Sequence, residues 1–279
     1  MLAYRHQFHA GNFTDVFKHA VLARLLFHLN KKDKPYLYLD THAGIGAYDL
    51  RHDWAQKNAE FKDGIAKVLP GTDAPATLQA YLDCVRKLNA QGPLRYYPGS
   101  PLLARALSRP LDRLVLNELN REDCGQLRDV FTDDRRVHVH DMDGYQSLKA
   151  FLPPVERRGL VLVDSSFDRK DEYKRLAEAL SEAHRRWSTG IFALWYPLMD
   201  WRDVENFEQR LINSGIRKML KLSLSIHDEH WTGSLRGSAL VVVNPPWGLE
   251  DDAREMLAWL WRCLAGDGGG YEVSWLVPE

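Results

Sequence analysis

Four carboxylates of this chain stand at the ends of short apolar runs: Asp40 after Leu37-Tyr38-Leu39, Glu118 within Arg113–Leu119, Asp143 just past Val137–His140, and Asp164 after Leu160–Val163. Runs of this kind read as strands buried on both faces of a parallel sheet. Open α/β sheets bind ligands in the crevice at the carboxyl ends of their strands, so all four acids fall where chemistry is done. On that edge an acid ending the second strand can accept both hydroxyls of a ribose, and one after the third can accept an adenine amino proton. A single such acid is equally well explained as a helix N-cap, as Asp143 before Gly144 illustrates. Four together describe a site.

The turn after the first strand narrows the ligand. Asp40-Thr-His42-Ala-Gly44-Ile-Gly46 lacks GxxxxGK[ST], and its Gly44-Ile45-Gly46 is followed by Ala47, Tyr48 and Asp49, so both the P-loop and the dinucleotide fingerprint fail. A carboxylate four residues before the glycines would repel a pyrophosphate at a cost of about 1–4 kcal/mol for charges ~4 Å apart. It would attract a cation. S-adenosylmethionine carries a sulfonium and an ammonium, and the turn resembles the DxGxGxG loop of Rossmann-like methyltransferases with His42 in place of the first glycine.

Positioning these groups requires alternating strands and helices. Asn12 with Asp15 three residues on predicts an N-cap for a helix over 13–30, whose apolar side carries Val16, Ala20, Leu22, Leu26 and Leu29. Residues 50–93 read as a polar helical insertion, followed by a loop at 95–101 and a helix at 102–108. Five further strands follow at 113–119, 137–140, 160–164, 191–195 and 217–226. A strand over 239–243 forms a hairpin with the last of these, and an edge strand is expected at 271–277. The predicted fold class is α/β, Rossmann-like, and the strand series resembles the seven-stranded, mostly parallel sheet of class I methyltransferases. We divide the chain into an N-terminal cover helix, first strand and cofactor loop (1–48), a helical insertion (49–110) and the remainder of the methyltransferase domain (111–279).

Composition excludes several classes. Hydrophobic residues make up 45% of the 279, without a run near the roughly 20 residues of a membrane span, and the polar N-terminus does not read as a signal peptide. Three separated cysteines, none in CxxC spacing, indicate neither a disulfide framework nor a zinc ribbon and fit a reducing cytoplasm. A net charge of −1 argues against coating nucleic acid by bulk electrostatics. A local basic patch is expected from Arg5, His6, His9 and Lys18, with Lys31, Lys32 and Lys34 beside them. His138 and His140 share a strand face, but no third residue has metal-ligand spacing, so no metal is expected.

The segments YRHQFHAGNFTDVFKH (4–19), YLYLDTHAGIG (36–46), LRYYPGSP (94–101), DGYQ (143–146), LPPVERRGLVLVD (152–164), ALWYP (193–197), GIRK (215–218) and NPPW (244–247) together resemble the RlmJ family end to end. The resemblance implies a bacterial enzyme that methylates adenine N6 of 23S rRNA with S-adenosylmethionine; a cytoplasmic monomer is expected. It implies cofactor binding by His19, His42, Ser100, Glu118, Asp143 and Gly144, and to these candidates the reading of the turn and its surroundings adds Lys18, Asp40, Gly44 and Asp164. It places Tyr4, His6 and Lys18 near the target adenine and Asp164 as the catalytic acceptor, with Ser165 and Phe167 beside it. The segment from Tyr4 to His19 is expected to cover the site.

One motif departs from the family. The usual [DNS]PP[YFW] is replaced by Asp164-Ser165-Ser166-Phe167, which keeps the acid, the backbone carbonyl and the aromatic ring but loses the prolines that aim the carbonyl. NPPW at 244–247 fits the pattern by letter but follows the seventh strand, far from the first, and reads as a strand stop that packs Trp247. Three functions stay open: an active RNA adenine-N6 methyltransferase, a weakened or inactive homologue that binds RNA and cofactor, and a DNA adenine methyltransferase.

Overall fold

A computed structural model describes residues 5–228, 230–233, 235–266 and 268–279. Helix α1 (Phe13–Asn30) begins where its cap dictates, the Asn12 side chain accepting the Asp15 N–H at 3.0 Å. It leads into β1 (Leu37–Asp40). The chain then makes β2 (Ala47–Asp49), α2 (Asp53–Asn58), α3 (Ile65–Val68), α4 (Ala76–Leu88), β3 (Tyr96–Pro98) and α5 (Ser100–Leu107). From there strands and helices alternate: β4 (Arg113–Asn117), α6 (Arg121–Val130), β5 (Val137–His140), α7 (Gly144–Phe151), β6 (Gly159–Val163), α8 (Glu172–Arg186), β7 (Ile191–Leu198), α9 (Trp201–Ile212), β8 (Met219–Ser225), β9 (Gly237–Val243), α10 (Leu249–Leu264) and β10 (Gly270–Val277).

The main sheet has the order β10-β8-β9-β7-β6-β1-β4-β5, with β5, β4, β1, β6 and β7 parallel and β9 antiparallel between β7 and β8. It contains eight strands, not the seven of the predicted fold class. The extra one is β10, which pairs antiparallel with β8 along the expected edge and covers backbone groups that β8 would otherwise leave open. Every residue of β1, β6 and β9 is buried, as expected for strands sandwiched between helix layers.

Two elements differ from the sequence reading. Residues 95–101 are not simply a loop: β3 pairs with β2 through three residues, and the Gly99 N–H reaches the Gly46 carbonyl at 2.8 Å, tying the start of α5 to the glycine turn. A three-residue strand carries too little alternation to be seen in sequence. Helix α1 is not one-sided but buried nearly all round, between β6 and β9 of the sheet and helices α4, α5 and α10. Its polar residues Asp15, Lys18, His19 and His28 are therefore buried too, and need partners.

Candidate active site

The predicted acids do assemble on one edge. Asp40 ends β1 fully buried, its oxygens taking the Tyr38 hydroxyl at 2.7 Å and the His42 N–H at 3.3 Å. Burial pushes its carboxyl up to about 6, against the hydrogen bonds from Ser100 and Tyr38 that favour the charged form. Ser100, at the first position of α5, is buried beside it. One residue along, Asn117 at the end of β4 donates to the Asp40 carbonyl at 2.9 Å. Glu118 accepts the Gly44 N–H at 2.9 Å and the Asn120 N–H at 2.7 Å, so it braces the glycine turn from the neighbouring strand. Burial raises its carboxyl, and those two N–H groups oppose the rise. Gly44 has φ +63°, and a Cβ there would stand 2.2 Å from the Tyr48 hydroxyl.

Asp143 caps α7, one oxygen accepting the N–H groups of Tyr145 at 2.9 Å and Gln146 at 3.1 Å, while the other faces Arg175 at 3.7 Å. Capping uses half of the carboxylate. Gly144 follows it where a Cβ would fall 2.3 Å from the Thr41 carbonyl and 2.8 Å from the His42 ring. His42 is thus held between the first and third strand ends, its Nδ1 2.8 Å from the Thr41 hydroxyl and its ring edge-on to Tyr145 at 5.7 Å; burial lowers its basicity.

Asp164 follows β6, next to β1, and its Oδ2 lies 2.5 Å from Lys18 Nζ. Lys18 is only 3% exposed and also faces Asp15 Oδ1 at 3.1 Å, with the Trp195 ring 5.6 Å away. Burial alone would discharge this ammonium, but Asp164 and Asp15 more than offset it and hold its pKa above the usual lysine value. Burial likewise opposes ionisation of Asp15, yet His6 and Lys18 hold its carboxyl well below the usual range. Beyond Asp164, Ser165 is buried beside the Tyr145 hydroxyl, and Phe167 takes φ +54°, its ring edge-on to Tyr173 at 4.7 Å and Trp195 at 5.7 Å.

His19 lies deeper. Its Nδ1 is 2.8 Å from the Tyr97 hydroxyl, itself 3.1 Å from that of Tyr81, and burial depresses it to about 3, so the ring is neutral. His6 sits on a short 3-10 turn (His6–Phe8) with Nε2 3.0 Å from Asp15. Tyr4 lies outside the described residues.

The expected basic patch does not form as drawn. Arg5 pairs with Glu122 and Asp123, His9 with Glu60, His6 with Asp15, and Lys18 is buried. Lys31, Lys32 and Lys34 are not beside them but past the other end of α1, whose 18 residues span about 27 Å. NPPW is likewise removed from the acids. Asn244 bonds the Ser188 and Gly190 carbonyls, which precede β7, whereas Asp164 follows Val163 at the level of Leu194. The two motifs therefore occupy opposite edges of the sheet. Trp247 is 94% exposed and packs on nothing, contrary to expectation.

Sequence reasoning used Asp15 only as a capping signal and missed Tyr38 and Asn117, which brace Asp40. It also missed the half-buried Tyr145–Glu172 contact, Oη to Oε1 at 2.5 Å, beside His42. No group of three or more His, Cys, Asp or Glu residues placed to hold a metal occurs among the described residues.

A sheet in which β5, β4, β1, β6 and β7 run parallel, extended by β9 antiparallel between β7 and β8, with a glycine turn after β1 and acids at the ends of β1, β4, β5 and β6, defines a Rossmann-like methyltransferase. Residues 33–277 match the family model described as ribosomal RNA large subunit methyltransferase D, RlmJ. The chain is 45% identical over 280 residues to ribosomal RNA large subunit methyltransferase J of Escherichia coli (strain K12) and 42% identical over 281 residues to the protein of that name from Haemophilus influenzae, each comparison covering all of both chains. A crystal structure of a protein from Legionella pneumophila str. Philadelphia 1 superposes with a TM-score of 0.90 at 34% identity, covering 96% of this chain and 98% of that one. The chain belongs to the RlmJ family.

Proposed function

We propose that this chain transfers the methyl group of S-adenosylmethionine to N6 of an adenine in 23S rRNA. The observation that carries the reading is the Lys18–Asp164 pair at the end of β6, beside the acid-lined crevice of β1, β4 and β5. The crevice suits that cofactor by its chemistry: carboxylates end every neighbouring strand, and no Lys or Arg lies in the 40–46 turn to hold a phosphate. Glu118 would hold the ribose, Asp143 the adenine amine, and Asp40, His42, Gly44, Ser100 and Gly144 the walls around them, with His19 behind. S-adenosylmethionine, when bound, supplies an electrophilic methyl group.

The residues' work is on the amine. An exocyclic amino group has its lone pair delocalised into the ring, and two acceptors on its hydrogens localise it for in-line attack. Asp164 is one acceptor, kept in place by Lys18, and the Ser165 carbonyl is the other. Phe167 offers a ring to the extruded base, with His6 as a further contact to it. The enzyme acts in the cytoplasm as a monomer, without a metal.

Tritium transfer from S-adenosylmethionine onto unmodified 23S rRNA, with duplex DNA alongside, tests this. Label should enter the RNA and not the DNA, and Asp164→Ala should abolish it; label in DNA alone, or an active Asp164→Ala, refutes it. The loss of both prolines and the left-handed Phe167 support a slowed version of the family reaction. Prolines at both 165 and 166 should therefore raise turnover without changing cofactor affinity.

A further inference from the structure

Asp15 is the third residue of α1 and has no solvent exposure. An acid near a helix N-terminus contributes about 0.3–1 kcal/mol at a surface, whereas burying a carboxylate costs several kcal/mol unless donors surround it. The donors here come from two directions. Asp15 Oδ2 accepts the Gly11 N–H at 2.9 Å and meets His6 Nε2 at 3.0 Å, which fastens the segment before the helix. Oδ1 faces Lys18 Nζ at 3.1 Å, one turn along the helix, and Lys18 reaches Asp164. A single carboxylate thus joins the 6–11 segment to the acceptor at the end of β6.

We propose that Asp15 is a positioning residue for methyl transfer, coupling the docking of the 6–11 segment to the placement of Lys18 against Asp164. The proposal rests on the methyltransferase reading of this site. The charged and titratable groups around the array are few. Asp15 faces His6, His9, Lys18 and the neutral His19, with the Tyr48, Tyr81 and Tyr97 phenols nearby; Lys18 faces Asp15, Asp164 and His19; Asp164 faces Lys18, Asp40, His42 and the Tyr38 phenol. Removing Asp15 leaves Lys18 one anion in place of two and releases the His6 turn.

The test is Asp15→Asn in the full chain, which keeps the shape and an acceptor for Gly11 but not the charge. We expect kcat to fall on the order of 10²-fold, the loss that follows ~1 Å misplacement of a reacting group, with S-adenosylhomocysteine affinity unchanged. Lys18 stays charged throughout the assayable range in the natural protein, so its alkaline limb of kcat should enter that range only in the variant, as Lys18 loses one of two opposite charges. Trypsin should cut after Arg5 faster. Asn12→Ala is the structural control: it removes the cap of the same helix, at a cost of about 1 kcal/mol, and the Asn12 bond to Glu60, but no contact of either Asp15 carboxylate oxygen; it should lower stability and leave kcat and the limb in place. If Asp15→Asn does not bind cofactor, Asp15→Glu decides by a lowered kcat with an unshifted limb. Natural kcat and limb in Asp15→Asn, or natural kcat in the glutamate variant, overturns the proposal. So does Asn12→Ala reproducing both effects. Asp164→Ala run in parallel reports on the underlying reading: if it is inactive while Asp15→Asn is not, only the positioning role fails.

Discussion

Lys18→Met removes the one cation shared by Asp15 and Asp164 while nearly keeping the volume of the side chain. The lysine side chain is 4% exposed and the Asp15 side chain 0%, so solvent cannot screen what is left behind. Breaking a buried ion pair by deleting one partner costs about 3–5 kcal/mol. Against a stability of about 5–15 kcal/mol the protein should remain folded. Each kcal/mol lowers Tm by about 2–4 °C at this size, which gives a fall of about 6–20 °C.

The pH dependence identifies the cause. In the natural protein Asp15 is held well below its ordinary value, so its contribution is present above the unfolded pKa near 4 and lost only as pH falls through the still lower folded one. Between pH 5 and pH 8 that contribution is flat. Without Lys18 the Asp15 carboxyl moves upward, and protonation relieves the uncompensated charge as the solution is acidified. The Tm difference between natural and variant chains should therefore be largest at pH 8 and narrow toward pH 5, measured by calorimetry on ligand-free protein. A difference independent of pH, or one under about 3 °C, less than the ~6 °C lower bound from the ion-pair cost, would refute the account of Lys18 as the counter-ion of a buried acid pair.

Asp40 carries the opposite sign. Its folded pKa is raised to about 6, so its ionisation destabilises the fold as pH rises from about 4 to beyond 6, by an amount on the order of 2–3 kcal/mol. Asp40→Asn should gain in Tm relative to the natural protein between pH 5 and pH 8, and a constant offset across that range would sink this. Asn244→Ala loses two hydrogen bonds to the loop before β7 and should cost about 1–3 kcal/mol, with kcat per folded molecule unaltered in the tritium assay; loss of turnover with the fold and cofactor binding intact would move the chemistry to NPPW.

What the sequence determined by itself was local. Leu37–Leu39 and Leu160–Val163 are continuous apolar runs bounded by turn residues, and such runs form buried strands wherever a sheet exists to receive them. Each acid after such a run must then lie on the carboxyl edge, as Asp40, Glu118, Asp143 and Asp164 do. Asn12 with Asp15 announced a helix start through hydrogen bonds that close within three residues.

Tertiary structure decided what is shared between distant residues. Lys18 and Asp164 are 146 residues apart, and nothing in either neighbourhood says that they meet. Asp15 read as a cap because capping is local; its second task follows from α1 being enclosed by α4, α5 and α10, which removes water and obliges each buried charge to find a partner. The exposure of Trp247 and the separation of Lys31, Lys32 and Lys34 from the site have the same origin. Adjacency along a chain does not survive an 18-residue helix or a strand that crosses to the other edge of the sheet, and desolvation belongs to the assembled layers, not to any segment taken alone.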